Sequence, residues 1–195
     1  MLQPENTIHL SIDMQRLFAA EGPWPTPWME RVLPKVVKLA EHAPARTVFT
    51  RFLTPRSPEE MPGMWKEYYR KWQNVTRERI DPKMLDLMPV LERFAPPAQV
   101  FDKFVYSAFA TGELHQMLRA RNVDTLIISG SETDVCVAST VLSALDIGYR
   151  VIVARDAICS SSDESHDALL SLYEKRFSVQ VAVAEVDDVL DRWRL

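Results

Sequence analysis

The chain has 195 residues, 26% of them charged and 47% hydrophobic, with a formal net charge of -4. That size suits one domain, 1–195, with a full core, and its Lys and Arg are dispersed, so neither nucleic acid nor an acidic membrane is expected as a partner. Its two cysteines, Cys136 and Cys159, make no disulfide framework or metal-binding spacing; with no membrane-length apolar run and no signal-peptide pattern in MLQPENTIHL, a cytoplasmic location is expected.

In chain order, Ile8 to Asp13 is a short apolar run ending in a carboxylate, the first predicted strand. The segment Gly22–Trp28 is rich in proline and reads as irregular. Val32, Val36, Leu39 and Ala40 fall at helical spacing and predict a helix over 29–42, with Pro34 tolerated near its start. RTVFTRF, 46–52, is strand two. A long segment, 53–97, follows. It places Trp65, Tyr68, Tyr69 and Trp72 on one face of a helix and predicts a second helix over 84–94. An insertion of this length in a compact domain is more often functional than idle.

Strand three is predicted over 100–103, ending in Lys103, and a helix lies within 107–121. Strand four covers 125–129, a helix 135–145, and strand five 150–154, with Gly148 as a left-handed cap. Ser161 and Glu164 form a capping box opening a helix to about 175; strand six covers 179–183 and a last helix 186–193. Strands alternate with helices and are continuously apolar, the pattern of a parallel sheet covered on both faces. In such an α/β sheet, sites lie at the carboxyl ends of strands, where Asp13, Lys103 and the 130–136 turn all fall.

Cys136 reads two ways. It is a nucleophile whose thiolate a helix N-terminus and the Lys103 ammonium would favour, or a small buried hydrophobe. Asp13 is either the base that takes the thiol proton or a turn residue. Lys103 either holds that pair electrostatically or is a solvated surface lysine. Cys159 is assigned to packing, His166 to a structural hydrogen bond, and Arg51 to an ion pair or, less simply, to a substrate carboxylate.

Together, IDMQRLF around Asp13, FDKFVYSAF around Lys103 and GSETDVCV, 130–137, resemble the isochorismatase-like cysteine hydrolases, which include nicotinamidases and N-carbamoylsarcosine amidohydrolases. The resemblance runs over essentially the whole chain. It implies a single-domain three-layer α/β/α fold with a six-stranded parallel sheet in the order 3-2-1-4-5-6. It also implies catalysis by Asp13, Lys103 and Cys136 on a small carboxamide or other non-peptide C–N bond through a thioester. The backbone N–H groups of Glu132 and Cys136 would form the oxyanion hole, and the Ser131–Glu132 peptide would be cis. Homo-oligomers are common in the family and expected here, and the only other partner expected is a small-molecule substrate.

Two departures from the family matter. Nicotinamidases carry an Asp-x-His metal motif after strand two, where this chain has Phe52, Leu53 and Thr54, so no metal or other cofactor is expected. Glu132 stands where small residues are commoner, and it is expected to turn away into a polar network. Aromatic residues from three loops should surround the nucleophile, with Phe18, Trp28, Trp65, Tyr69 and Tyr106 as candidate pocket residues. Two rival readings stay open: a vinyl ether hydrolase with Asp13 as acid and Cys136 a bystander, and a catalytically silent binding protein.

Overall fold

A computed structural model describes residues 2–194. Six parallel strands form one sheet, in the order β3-β2-β1-β4-β5-β6. They are β1 (Thr7–Ile12), β2 (Thr47–Phe52), β3 (Gln99–Lys103), β4 (Thr125–Ser131), β5 (Arg150–Cys159) and β6 (Val181–Ala184). The helices are α1 (Met29–His42), α2 (Met64–Lys71), α3 (Pro89–Glu92), α4 (Glu113–Ala120), α5 (Ala138–Asp146), α6 (Asp163–Arg176) and α7 (Val186–Arg192).

Burial follows position in the sheet. Every residue of the central strands β1 and β4 is buried, whereas the edge strand β3 buries only Lys103 fully. Helix α1 packs on α7 and across β4 and β5. Right-handed crossovers then put α4, α5 and α6 on the opposite face, which gives the three-layer arrangement. The strand order reverses between β1 and β4, so the chain leaves these neighbouring strands in opposite directions and opens a crevice at their carboxyl ends. Gly130 permits that approach: its φ is +110°, and a Cβ there would lie 2.0 Å from the carbonyl oxygen of Ile12.

Several boundaries differ from the sequence-based expectations. The expected helix over 84–94 is a 3₁₀ turn, Pro82–Leu85, followed by the single turn α3. Asp81 caps the first turn through the N–H of Lys83 at 3.0 Å, and between the two turns Leu87 bridges to Gln15. The helix expected within 107–121 is α4, which begins at Glu113 after Gly112 at φ +76°. Strand β5 runs on to Cys159, pairing with Ser131 of β4, so Cys159 lies inside the sheet. The cap of α6 is Ser162, whose hydroxyl accepts from the N–H of Ser165, because Ser161 instead donates to Glu132. Strand β6 begins at Val181, with Val179 left 97% exposed. Gly148 ends α5 as expected, at φ +93°, with the N–H of Tyr149 returning to the Ala144 carbonyl.

Candidate active site

Three strand ends converge in the crevice. Asp13 follows β1 in a left-handed conformation, φ +48°, and its side chain is wholly buried. Its Oδ2 lies 2.6 Å from Nζ of Lys103, itself only 3% exposed. Lys103 closes β3, two strands away, and pairs in register with Phe52 at the end of β2. The ammonium passes over the Phe52 ring, 4.8 Å from its centroid, and also donates to the Val105 carbonyl at 3.1 Å. Neighbouring strands are about 4.8 Å apart, so only a side chain as long as lysine spans β2 to reach β1.

Thr50 of β2 fixes the carboxylate. Its hydroxyl donates to Asp13 Oδ1 at 2.5 Å and accepts from the Asp13 N–H at 3.1 Å. Gln15 ties the adjoining loops together, accepting from the Phe52 N–H at 2.7 Å and donating to the Leu85 carbonyl at 2.7 Å. Neither residue was singled out from the sequence. Their one signal was that both are polar residues within or just after an apolar strand.

The third strand end is the turn after β4. The Ser131–Glu132 peptide is cis. Thr133–Val137 then forms one π-helical turn leading into α5, with the Val137 N–H bonded to the Glu132 carbonyl at 3.0 Å. Cys136 sits in this turn, 5% exposed, with Asp13 and Lys103 as the charged groups that act on its thiol. Apart from the Lys103 ammonium, Asp13 Oδ2 has no partner among the described N and O groups, so it is open to the thiol.

Electrostatics here oppose the thiolate that a helix start and the Lys103 ammonium would favour. Burial pushes the Cys136 thiol well above its ordinary range, and the Asp13 charge pushes it further; Lys103 opposes both without prevailing. Burial by itself would lower the Lys103 pKa, but Asp13 and Cys136 outweigh it, and the ammonium is held charged. The resting arrangement is therefore a neutral thiol beside a carboxylate–ammonium pair. Cys159 is also pushed up, to about 12, by burial.

Cys136 opens into a cavity of about 350 Å³. Its walls come from the loop after β1 (Phe18, Pro23, Trp24, Pro25), from Phe52, from the insertion (Tyr68, Trp72), from Tyr106, and from Glu132, Val135 and Ser161. Of the expected pocket residues, Phe18 and Tyr106 line it. Trp28 faces elsewhere, against the His166 ring at 5.7 Å. Trp65 and Tyr69 stand behind the wall: Trp65 packs on Tyr106 at 4.7 Å and Tyr69 is fully buried. Trp24 is the wall's centre, with Phe18, Phe52, Tyr68 and Trp72 all within 6.3 Å of it, centroid to centroid.

Glu132 does enter a polar network, accepting from Thr26 at 3.4 Å and Ser161 at 3.1 Å, yet it also lines the cavity. Burial raises its pKa. Beneath it, His166 meets the Thr133 hydroxyl at 2.8 Å, the structural bond expected of it. Arg51 is occupied by Asp102 through bonds of 2.7 and 2.9 Å. Among the described residues, no three His, Cys, Asp or Glu side chains are grouped to hold a metal, and no helix is long and apolar enough to cross a membrane.

The isochorismatase domain matches residues 7–185, and the chain belongs to that family of hydrolases. It is similar to an uncharacterised isochorismatase family protein, PncA, of Bacillus subtilis, 34% identical over 98 residues, 49% of this chain and 54% of that protein. It is also similar to the N-carbamoylsarcosine amidase of an Arthrobacter species, 28% identical over 76% of this chain and 58% of that one. These matches span little more than half of each relative. Among solved structures, a cysteine hydrolase of Pseudomonas syringae pv. phaseolicola superposes with a TM-score of 0.84 over 98% of this chain and 94% of that one, at 22% identity. That likeness concerns the fold.

Proposed function

We propose that the protein is a metal-independent cysteine hydrolase of a small, non-peptide carboxamide, with Cys136 as nucleophile, Asp13 as proton carrier and Lys103 as the cation that pairs with Asp13 and positions it. The observation that carries this reading is the buried 2.6 Å Lys103–Asp13 pair standing beside a thiol that opens into a cavity. The N-carbamoylsarcosine amidase similarity agrees with C–N bond chemistry.

A thiol kept neutral by burial must lose its proton as it attacks. Asp13 Oδ2 accepts that proton while Sγ bonds the amide carbon. The carbonyl becomes an oxyanion facing the start of the 133–137 turn, where the N–H groups of Glu132 and Cys136 would receive it. Collapse expels the amine, which takes the proton back from Asp13 and leaves a thioester on Cys136. Water then attacks the thioester and gives a proton to Asp13, from which Sγ recovers it as the acid leaves. The balance is amide plus water to carboxylic acid plus ammonia or amine. Lys103 stays charged throughout, so each proton moves between Cys136, Asp13 and substrate alone.

Ammonia release from a panel of small carboxamides tests this. Turnover should disappear in Cys136→Ala, and a thioester adduct should appear on Cys136 by mass spectrometry under rapid acid quench. Undiminished turnover in Cys136→Ala would overturn it.

A further inference from the structure

Among the described residues, Glu132 is the one charged side chain lining the cavity, and its surroundings are unusual for a carboxylate. The wall holds six aromatic rings, three aliphatic or proline side chains, the Ser161 hydroxyl and the Cys136 thiol. Neither Lys nor Arg nor His is among the lining residues. Lys103 is neutralised by Asp13, and Arg51 is engaged by Asp102 outside the cavity. Glu132 itself receives only the hydroxyls of Thr26 and Ser161, and no described cation lies within ion-pair distance of it. Each of its oxygens therefore keeps acceptor capacity. An uncompensated carboxylate inside an apolar cavity is costly unless something positive comes to it.

We propose that the cavity selects a substrate with a flat apolar body and a positively charged nitrogen, and rejects carboxylate-bearing ones, with Glu132 as the residue that reads the charge. This rests on the hydrolase reading above and names its substrate class. The aromatic faces of Trp24, Trp72, Tyr68 and Tyr106 suit a cation as well as a flat ring, because the negative faces of the rings attract positive charge. Two hydroxyl donors keep Glu132 placed without satisfying its charge. A substrate carboxylate would instead meet a like charge with no cation available to pair it. Burial raises the Glu132 pKa, and an arriving ammonium would favour its ionised form, so recognition and ionisation reinforce one another.

The test uses matched ligands on the intact protein: benzylammonium, benzyl alcohol and benzoate by calorimetry, and 3-(aminomethyl)benzamide, benzamide and 3-carboxybenzamide for turnover. Benzylammonium should bind roughly tenfold more tightly than benzyl alcohol, with benzoate weakest. In Glu132→Gln the cation-to-neutral preference should shrink to about threefold or less, since glutamine keeps the shape and the hydroxyl partners but not the charge. A purely structural Glu132 would change stability and leave the roughly tenfold preference intact. Benzoate binding as well as benzylammonium, or the wild-type preference of roughly tenfold kept in Glu132→Gln, would overturn the proposal. Should the variant not fold, the order of the three ligands on the wild-type protein decides. If none of the three amides is hydrolysed while the binding order holds, the hydrolysis reading fails and charge recognition by Glu132 stands.

Discussion

The floor and the wall of the cavity are built by opposite means. The floor consists of Asp13, Lys103 and Cys136 on three strand ends, with Thr50 and the Val105 carbonyl completing their bonds. The sheet register fixes those ends, and a shift of one residue would turn every side chain to the other face. The wall is carried by loops: the segment after β1, the 53–97 insertion and the stretch after Lys103. Its rings hold one another, Trp24 at the centre, with little regular backbone behind them. The floor can be kept while the wall changes, and the difference separates what the site does from what it does it to.

The buried pair gives the strongest way to break this division. Replacing Lys103 by Met strands a buried carboxylate, and replacing Asp13 by Leu strands a buried ammonium; each should lose about 3–5 kcal/mol of stability. The double variant, Asp13→Leu with Lys103→Met, should regain much of that loss in urea denaturation while remaining inactive by a factor of about 10³ or more. A double variant no more stable than the singles would show that the floor is held by something other than charge pairing.

Deeper in the sheet, His9 sharpens the same contrast. The Thr47 hydroxyl donates to the Ala43 carbonyl at 3.0 Å, so it accepts from Nδ1 of His9 at 3.3 Å, and Nε2 receives the Ser129 hydroxyl at 2.8 Å. The ring is neutral, and burial lowers its pKa from 6.5 to about 3. An unfolded chain takes up a proton below about 6.5 and the folded chain only near 3, so stability is full above that window and falls as pH drops through it. The loss should reach roughly 3 kcal/mol at pH 4.5. His9→Gln, which can keep both hydroxyl contacts, should remove that part of the acid slope; an unchanged slope would assign it to carboxylates instead.

Thr50→Val tests the floor's positioning. It removes a donor and an acceptor from Asp13 at nearly constant volume, and should lower kcat about 10- to 100-fold with KM little changed. Thr50→Ser should restore most of the rate. A rate kept in Thr50→Val but lost in Thr50→Ser would assign the role of Thr50 to packing by its methyl group.

The floor was legible in the sequence because its residues sit at the ends of apolar runs, and strand ends are where an α/β sheet places its chemistry. The reversal of strand order and the membership of all three residues in one site followed from the resemblance, since composition and spacing alone left Cys136 between nucleophile and core. The influences on the charge of Cys136 were only partly legible. A helix start and a lysine suggested a thiolate, but burial and the Asp13 carboxylate, neither visible in a local pattern, outweigh them. The wall was legible only as an excess of aromatic residues. Whether Trp65 or Tyr68 faces the nucleophile depends on how the insertion folds over the strand ends. Pro89 interrupts the helix expected over 84–94, which leaves a 3₁₀ turn before it and the single turn α3 after it. Thr50 and Gln15 were missed because threonine is ordinary in strands and a single glutamine carries no motif.

The wall's own test has the smallest effect. Trp24 packs on four other rings and carries no proton for the thiol–carboxylate–ammonium group, so Trp24→Leu should reshape the site without disturbing proton transfer. With the preferred amide, KM should rise about tenfold and kcat change by no more than about threefold, the signature of lost uniform binding. The cation-over-neutral preference should persist, because Glu132 keeps its partners Thr26 and Ser161. A fall in kcat as large as that from Thr50→Val would mean that the wall also sets the position of the floor. Thr26 makes that coupling a concrete alternative: it follows Trp24 by two residues, and its hydroxyl meets Ser131 at 3.3 Å and Glu132 at 3.4 Å, at the turn that carries Cys136. Measuring kcat and KM separately in Trp24→Leu therefore decides whether chemistry and selection are divided in this site or joined through the 131–132 turn.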